Sequence, residues 1–463
     1  MIINRIGPER LLSYRVIVFL SAVIIAIALG MMVSRSPVAG IEAKTEDSLA
    51  RLATKPARAD VVILALDDAS VKKYGPVKSW PRNVLAAGLK KVEKSGAKWV
   101  VMDLALDKRT HNAEDSALWR EMANNRNVVL GMSYDATGKA AYTPDDIRSL
   151  VFLEKYALAD NLTFAASTPQ FPYALFEPPV SDFTGSSRGV GVFDRETEPD
   201  GTVRAARLVY LSKVEYPAAS SSLRGKFPQS QLADGAPIAL PNIALVAALR
   251  GFGLDKDRVH LTTGATLSVS GNVNPAVNVP IDDEGRMLIR YYGAPGHYTQ
   301  YSFADLMNGK VPNDAFKGKT VLIGATAAND DATDPRATPM TGRMPRVEIT
   351  ANAISTLLDR SYYSRFPHRV LGIMLIVGVI AGLSLMFFSA GRAAAVTLLL
   401  LAVYGGLAYG LYSMGHTMLP LVPGFATILV PFLMGLLLYI GPMRPTPIMA
   451  SETYVPPPTT AVR

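Results

Sequence analysis

The sequence predicts an α/β domain, mostly a parallel sheet with flanking helices, together with α-helical transmembrane segments, one before the domain and three after it. Two observations support this fold class. Between residues 34 and 368, short β-rich runs alternate with helical patterns, as is typical of α/β proteins. Outside that region lie four stretches of at least 18 residues without a charged side chain, which is about the length that spans a hydrocarbon core of ~30 Å.

The first apolar stretch, residues 16–33, is predicted to be transmembrane helix 1. Residues 1–15 carry three arginines and are therefore expected in the cytoplasm: Arg5, Arg10 and Arg15. A cleaved signal peptide is the alternative, but residues 34–37 (SRSP) do not resemble a small-residue cleavage site. The sequence thus favours an uncleaved anchor.

Three later apolar stretches predict transmembrane helices 2, 3 and 4, at residues 370–388, 393–412 and 419–440. Four crossings return the chain to the cytoplasmic side, where residues 441–463 form a short Pro-rich tail. Arg392 and Arg444 fit the positive-inside rule on this topology, whereas Arg365 and Arg369 on the outer side oppose it.

The topology implies a multi-pass protein of a bacterial inner membrane with both termini in the cytoplasm. Residues 34–368 are then periplasmic or extracellular, and the lipid bilayer is one predicted partner. The formal net charge is +8, but no Lys/Arg run resembles a nucleic-acid-binding arm, so we predict no nucleic-acid partner. The chain has no cysteine, and its five histidines never pair at metal-ligand spacing, so we predict no cofactor.

The outer region opens with a strand, helix and strand. Residues 61–66 (VVILAL) and 98–104 predict buried strands, and residues 81–95 between them have apolar side chains at helical spacing. Such a unit implies parallel strands. A helix at residues 113–124 and a third strand at residues 127–131 follow.

Further elements are predicted later in the region. Pro199, Asp200 and Gly201 form a turn signal, because proline fixes φ and glycine accepts a positive φ. The predicted elements after it are strands at 203–211, 286–292 and 319–324 and helices at 242–250 and 346–359.

Several motifs of this region resemble a known family. The opening motifs are VVILALDD at 61–68, WPR at 80–82 and VVMD at 100–103. The closing motifs are YSFAD at 301–305, FKGK at 316–319, VLIGAT at 321–326, VEI at 347–349 and ANAI at 351–354. As a set they are similar to the CHASE type 2 family, sensor domains associated with cyclases and histidine kinases. One anchor followed by three helices is the layout usual in that family.

The resemblance implies an extracytoplasmic sensory domain whose ligand is generally unknown. Two positions depart from the family pattern: Thr350 stands where His is common, and Arg346 stands where Gly is usual. A site that depends on that His is therefore absent. The family's domain normally precedes a kinase, cyclase or cyclic-dinucleotide module, so the output is expected on a separate cytoplasmic protein, unless the chain is a truncated receptor.

Asp67, Asp68 and Asp103 follow two strands that are predicted to be adjacent and parallel. Open α/β sheets bind ligands beyond the carboxyl ends of their strands, so these carboxylates are candidate ligand contacts. Trp80 and Arg82, at the start of the next helix, would add stacking and anion contacts. The alternative is structural: Asp68 caps a helix, Trp80 packs in the core and Arg82 pairs internally with a carboxylate.

A second candidate set follows the strand at residues 319–324 and is expected to face the same crevice. Its ligand-binding candidates are Thr326, Glu348 and Asn352, and its metal candidates are Asp330, Asp331 and Asp334. Oxygen ligands of this kind suit Ca²⁺ or Mg²⁺ where they converge. The alternative is a solvated acidic loop, with Glu348 stabilised by the dipole of the helix that it begins.

The enzyme motifs are incomplete. Gly318-Lys319-Thr320 lacks the first glycine of a phosphate-binding loop and is followed by a strand, so we expect no enzyme. The leading hypothesis is a membrane sensor. Its oligomeric state stays open, with a homo-oligomer as one alternative. It binds an unknown extracytoplasmic ligand or protein and relays its state through the transmembrane helices to the separate effector. The alternatives are a structural subunit of a cell-envelope complex and an extracytoplasmic enzyme that uses the strand-end aspartates.

Overall fold

The computed structural model describes residues 38–135, 143–158, 162–164, 175–193, 196–212, 238–254, 260–263, 266–270, 277–282, 284–365, 388–414 and 417–440, together with residues 16, 17, 20, 21, 24, 225, 226, 377 and 380. The chain divides into two compact units. The large unit comprises Arg35–Pro367 with Gly406–Val422, and the apolar unit comprises Met1–Ser34, His368–Gly405 and Pro423–Arg463.

The described helices are α1 Val38–Leu52, α2 Asp68–Tyr74, α3 Arg82–Lys94, α4 Asn112–Asn125, α5 Pro144–Leu153, α6 Ser181–Ser186, α7 Ile243–Gly251, α8 Phe303–Met307, α9 Arg346–Leu358, α10 Ala390–Met414 and α11 Leu421–Ile440. The described strands are β1 Val61–Leu66, β2 Trp99–Asp103, β3 Val128–Asp135, β4 Leu162–Phe164, β5 Leu175–Glu177, β6 Gly189–Val192, β7 Ala205–Arg207, β8 Val209–Ser212, β9 Ile238–Pro241, β10 His260–Thr263, β11 Thr266–Ser270, β12 Val277–Pro280, β13 Arg286–Leu288, β14 Thr299–Ser302, β15 Thr320–Ala325, β16 Ser364–Arg365 and β17 Thr417–Met418.

A mostly parallel sheet forms the centre of the large unit. Its strand order is β14, β1, β15, β2, β3 and β6, all parallel, and β5 pairs antiparallel with the end of β3. Every residue of β1 and β15 is buried, because the sheet is covered on both faces. The mixed α/β architecture predicted from the sequence is confirmed.

Successive side chains of β1 point to opposite faces of the sheet and join two separate cores. Val61 and Ile63 pack with side chains of α7 and α9, whereas Val62 and Leu64 pack with side chains of α3 and α4. A smaller four-stranded sheet, in the order β12, β11, β10 and β4, adds Leu261 and Leu267 to the first of these cores.

One prediction about the sheet is wrong. The sequence pattern implied that β1 and β2 are adjacent, but β15 lies between them and pairs in parallel with both. The error arises because β15 is contributed from more than 200 residues further along the chain, as its register of Val61 with Thr320 illustrates. Local patterns predict a strand but do not specify its neighbour.

Two predicted strands are shorter than expected. Residues 203–211 form β7 and β8, because the chain changes its pairing partner from β13 to β9 around Leu208. The strand predicted at 286–292 ends at Leu288. The Ile289 N–H still donates to the Arg204 carbonyl, but two later amides bind side chains of α9 instead. The backbone N–H of Arg290 donates to Thr356, and that of Tyr292 donates to Asn352.

Glycines allow close approach of backbone segments near β3 and β6. A Cβ atom added to Gly191 would lie 2.4 Å from the Cα of Ile243, which is the first residue of α7. A Cβ atom at Gly131 would lie 1.9 Å from the ring of Phe193. The glycine-rich segment at residues 189–191 is therefore a packing contact between a strand and a helix start.

One described helix, Ala390–Met414, is long and apolar enough to cross a membrane, and Leu421–Leu436 is a shorter apolar stretch. They contain most of the predicted spans at 393–412 and 419–440. The predicted spans at 16–33 and 370–388 lie outside the described residues, apart from a few single positions. The four-span arrangement stays a prediction.

Candidate functional site

The two aspartates after β1 have different roles in the large unit. Asp67 caps α2: its Oδ1 accepts hydrogen bonds from the backbone N–H of Ser70 at 3.0 Å and from the Ser70 hydroxyl at 2.6 Å. The Ser302 hydroxyl donates to the same oxygen at 3.0 Å. Asp68 is exposed and accepts a hydrogen bond from the N–H of Ala328 at 3.0 Å. The capping residue is thus Asp67, where the structural alternative assigned Asp68.

Asp103, at the carboxyl end of β2, is the centre of a buried ionic network. Its side chain is 1% exposed and receives Arg346 Nε at 2.7 Å and the Thr350 hydroxyl at 2.7 Å. The Arg346 guanidinium lies over the Phe193 ring, with 4.1 Å between Cζ and the ring centroid. Asp334 contributes a second, longer contact of 3.5 Å to Arg346 Nη1.

The two residues that depart from the family pattern therefore bind one carboxylate. Arg346 and Thr350 are separated by one helical turn, so both side chains face Asp103 from α9. This network satisfies the oxygens of Asp103 from within the protein. It lies between the sheet and α9 and is absent from what the sequence alone predicts.

Trp80 and Arg82 are both buried. The Trp80 indole N–H donates to the Gly75 carbonyl at 2.7 Å, and its ring lies 5.1 Å from the rings of both Tyr74 and Phe303. Arg82 Nε lies 3.8 Å from Asp115, and burial lowers the pKa of the Arg82 guanidinium although Asp115 opposes this shift. These positions match the structural alternative.

Glu348 and Asn352 lie on a different side of α9 from Arg346 and Thr350. The Glu348 carboxylate accepts hydrogen bonds from the Gly296 N–H at 2.9 Å and from the Gln300 amide at 3.0 Å. Asn352 Oδ1 accepts from the backbone N–H of Tyr292 at 2.9 Å. The structure thus separates these two candidates from Asp103. Glu348 lies in the first turn of α9, as the alternative expected, and it is buried.

Burial raises the pKa of the Glu348 carboxyl group, and the donors from Gly296 and Gln300 only partly oppose this shift. The folded state therefore holds this proton more tightly than the unfolded state, so the stabilisation due to protonation is lost as the pH rises through the folded-state pKa. We expect Glu348→Gln to remove this pH dependence. Urea denaturation of wild type and variant across acidic to neutral pH measures it, and parallel pH profiles would contradict the shift.

The remaining acidic candidates do not converge. Asp330 accepts hydrogen bonds from the N–H groups of Val77 and Ala332 at 2.8 Å each, whereas the Asp331 side chain is 91% exposed. Asp334 pairs with Arg336 at 2.8 Å. Thr326 is half-buried and donates its backbone N–H to Leu66. Within the described ranges, no three carboxylates or histidines are grouped in a way that could hold a metal ion.

Sequence reasoning missed a buried arginine after β13. The Arg290 side chain is 1% exposed, and its Nη2 donates to the carbonyls of Ala53 and Ser413, at 3.4 Å each. These carbonyls lie at the carboxyl ends of α1 and α10, where helix dipoles favour a cation. Among the described residues, Nε and Nη1 of Arg290 have no hydrogen-bond partner. An isolated arginine after a short strand gives no sequence signal for this position.

Glu42 of α1 was also missed. Its carboxylate accepts hydrogen bonds from the N–H groups of Leu421 and Val422 at 2.7 Å each, at the start of α11. Next to these contacts β16 pairs with β17, and the rings of Tyr363 and Tyr412 stack with 4.5 Å between their centroids. Residues 406–422 are therefore held to the rest of the large unit by charged, backbone and aromatic contacts.

Comparison with known proteins supplies the family. A model of the CHASE2 domain matches residues 20–386, which is most of the chain. No curated protein and no solved structure matches the chain. The match covers the parallel sheet, Asp103 and the whole of α9. The chain belongs to the CHASE2 domain family.

Proposed function

We propose that this chain is a membrane-anchored sensor that relays an extracellular signal through α9 to the ends of its apolar helices. The extracellular sensory role follows from the CHASE2 domain. The relay is supported above all by the contacts of α9. Twelve consecutive residues of this helix are buried, so it cannot shift without changing the contacts around it.

The two ends of α9 contact different parts of the large unit. Arg346 and Thr350 bind Asp103 at the carboxyl edge of the sheet, where α/β proteins bind ligands. Thr356, near the other end of the helix, accepts the backbone N–H of Arg290 at 3.0 Å and donates its own proton to the Asn352 carbonyl at 2.7 Å. The Arg290 guanidinium in turn contacts the carbonyl of Ser413 in α10. A ligand that prefers one position of α9 would change these end contacts.

Hydrogen exchange of the full-length protein in nanodiscs tests the relay. We expect Thr350→Val, which breaks the contact to Asp103, to speed amide exchange at residues 413–422. Leu150→Ala is the matched control: Leu150 is buried in the other core, so this variant loses about 2–5 kcal/mol of stability without touching α9. Equal effects of both variants at residues 413–422, or an effect of Thr350→Val that stops at α9, would overturn the relay.

We also propose that the chain has four membrane spans in a bacterial inner membrane, with both termini in the cytoplasm. Its output is then a separate cytoplasmic protein. This proposal rests on the family's usual layout, in which the CHASE2 domain is associated with a cytoplasmic cyclase or histidine kinase. We expect an affinity tag after Arg463 to recover a cytoplasmic kinase, cyclase or other effector from gently solubilised membranes. Recovery of envelope proteins alone would favour a structural subunit.

We further propose that the chain is not an enzyme. The strand-end carboxylates are the residues that hydrolytic or acid/base chemistry would need. Asp67 is used as a helix cap and Asp103 is bound by Arg346 and Thr350, so both are held by the fold. These internal bonds support a conformational role for Asp103.

A further inference from the structure

A cleft of about 500 Å³ opens at the carboxyl edge of the parallel sheet, beyond β2 and β3. Three segments form its walls: residues 107–109 after β2, residues 143–146 at the start of α5, and residues 176–180 at and beyond the end of β5. The general rule for open α/β sheets places ligands at this edge. The lining of this cleft includes none of the candidate residues that follow β1 and β15.

Some charged side chains that line the cleft bind other residues of its walls. Arg109 bridges two segments, with its guanidinium 2.9 Å from Asp145 and 2.8 Å from Asp182. Asp146 accepts hydrogen bonds from the N–H and hydroxyl of Thr143, at 2.7 Å each, and so caps α5. These contacts fix the shape of the cleft and give Arg109, Asp145 and Asp146 partners within the protein.

Three other lining side chains have no such role. Asp107, Lys108 and Glu177 form no side-chain hydrogen bond or ion pair with any part of the chain that the structure describes. A cation that interacts with Asp107 is the buried Arg82, and this interaction is electrostatic, without a hydrogen bond. Arg82 Nη2 donates instead to the Lys108 carbonyl at 3.5 Å, behind the cleft wall. Two carboxylates and one ammonium group are therefore available to a ligand.

The chemistry of the lining selects a class of ligand. Four carboxylates line the cleft, from Asp107, Asp145, Asp146 and Glu177, against two cations, so it favours a positively charged guest. A metal ion is disfavoured, because the described carboxylates do not form a group of three ligands. Phe176, Pro178 and Val180 line the cleft but are buried, with Phe176 0% and Val180 3% exposed, so they form its floor. The volume of about 500 Å³ suits a small organic cation.

We propose that this cleft binds a small molecule carrying a protonated primary amine, which Asp107 and Glu177 receive. The inference rests on the proposed sensor function and names the ligand class for it. The cleft wall at residues 107–109 begins four residues after Asp103, so residues 103–109 connect an occupied cleft to the α9 network. If the ligand also has a carboxylate, the Lys108 ammonium group binds it.

Isothermal titration of the full-length protein in nanodiscs tests the site with three probes: putrescine, lysine and glutarate. We expect putrescine or lysine to bind and glutarate not to bind. The double variant Asp107→Asn, Glu177→Gln should weaken amine binding by about 10-fold or more, since it removes both charged hydrogen-bond acceptors of the amine. Asp331→Asn, an exposed carboxylate outside the cleft, is the matched control and should bind as wild type does.

Lys108→Gln separates the two sources of the amine. Weaker binding of lysine with unchanged binding of putrescine identifies an amino acid, because only lysine offers a carboxylate to Lys108. Unchanged binding of both identifies a polyamine. The proposal is overturned if neither amine binds at millimolar concentration, or if the double variant binds as tightly as wild type. Such a failure leaves the relay experiment unaffected, since Thr350→Val is scored without ligand.

Discussion

Asp103→Ala is expected to lower the free energy of unfolding by about 3–5 kcal/mol, because it leaves the Arg346 guanidinium buried without its carboxylate. The Arg346 side chain is 9% exposed, and in the variant it keeps the backbone carbonyl of residue 103 at 3.1 Å and a long carboxylate contact to Asp334 at 3.5 Å. Urea denaturation of the detergent-solubilised chain, followed by tryptophan fluorescence, measures the loss. A loss below about 1 kcal/mol would show that water reaches Arg346 in the variant.

A second variant separates the charge from the packing. Asp103→Leu combined with Arg346→Met removes both charges and fills similar space, so we expect much of the stability to return. Asp331→Ala is the control for removal of an exposed carboxylate and should change the free energy of unfolding by less than about 0.5 kcal/mol. If the double variant is as unstable as Asp103→Ala, the cost lies in packing and not in the unpaired charge.

Gly191→Ala is expected to cost about 3 kcal/mol, the upper part of the range for overpacked cores. The added Cβ atom would lie 2.4 Å from the Cα and 2.5 Å from the backbone nitrogen of Ile243. A flexible side chain could rotate away, but these are backbone atoms at the start of α7. The contact can therefore be relieved only by moving the helix away from β6.

Gly185→Ala provides the matched comparison for this prediction. Gly185 lies in α6, and a Cβ atom there would meet nothing within 4 Å. This substitution is expected to leave stability unchanged or to raise it by about 0.4–1 kcal/mol, because alanine reduces the freedom of the unfolded chain. Thermal melting of the two variants side by side measures the difference. Equal melting temperatures would contradict the close approach of β6 and α7.

The elements that the sequence predicts well are those with local signals. The apolar run at β1, the amphipathic pattern of α3 and the turn at Gly201 all lie in short segments, and the structure has them within a few residues of the predicted bounds. Gly201 has a φ of +79°, as the Pro-Asp-Gly signal requires. Such features depend on neighbouring residues, so one sequence is sufficient to find them.

The candidate site was harder to predict, because its contacts join distant parts of the chain. Asp103 and Arg346 are 243 positions apart, and nothing in either segment indicates the other. Arg82 was expected to reach a ligand, but it is buried behind the cleft wall. The acidic residue at the end of β5, Glu177, gave no signal because only the strand pairing places it beside residues 107–109.

The late position of β15 determines when this domain can complete its sheet during synthesis. Until residues 320–325 are available, β1 and β2 lack their common neighbour, and each exposes an unpaired edge of backbone N–H and C=O groups. Pairing across such a distance in sequence closes slowly, because a large loop must be ordered first. A nascent chain of this protein therefore depends on protection of these edges until most of the large unit has been made.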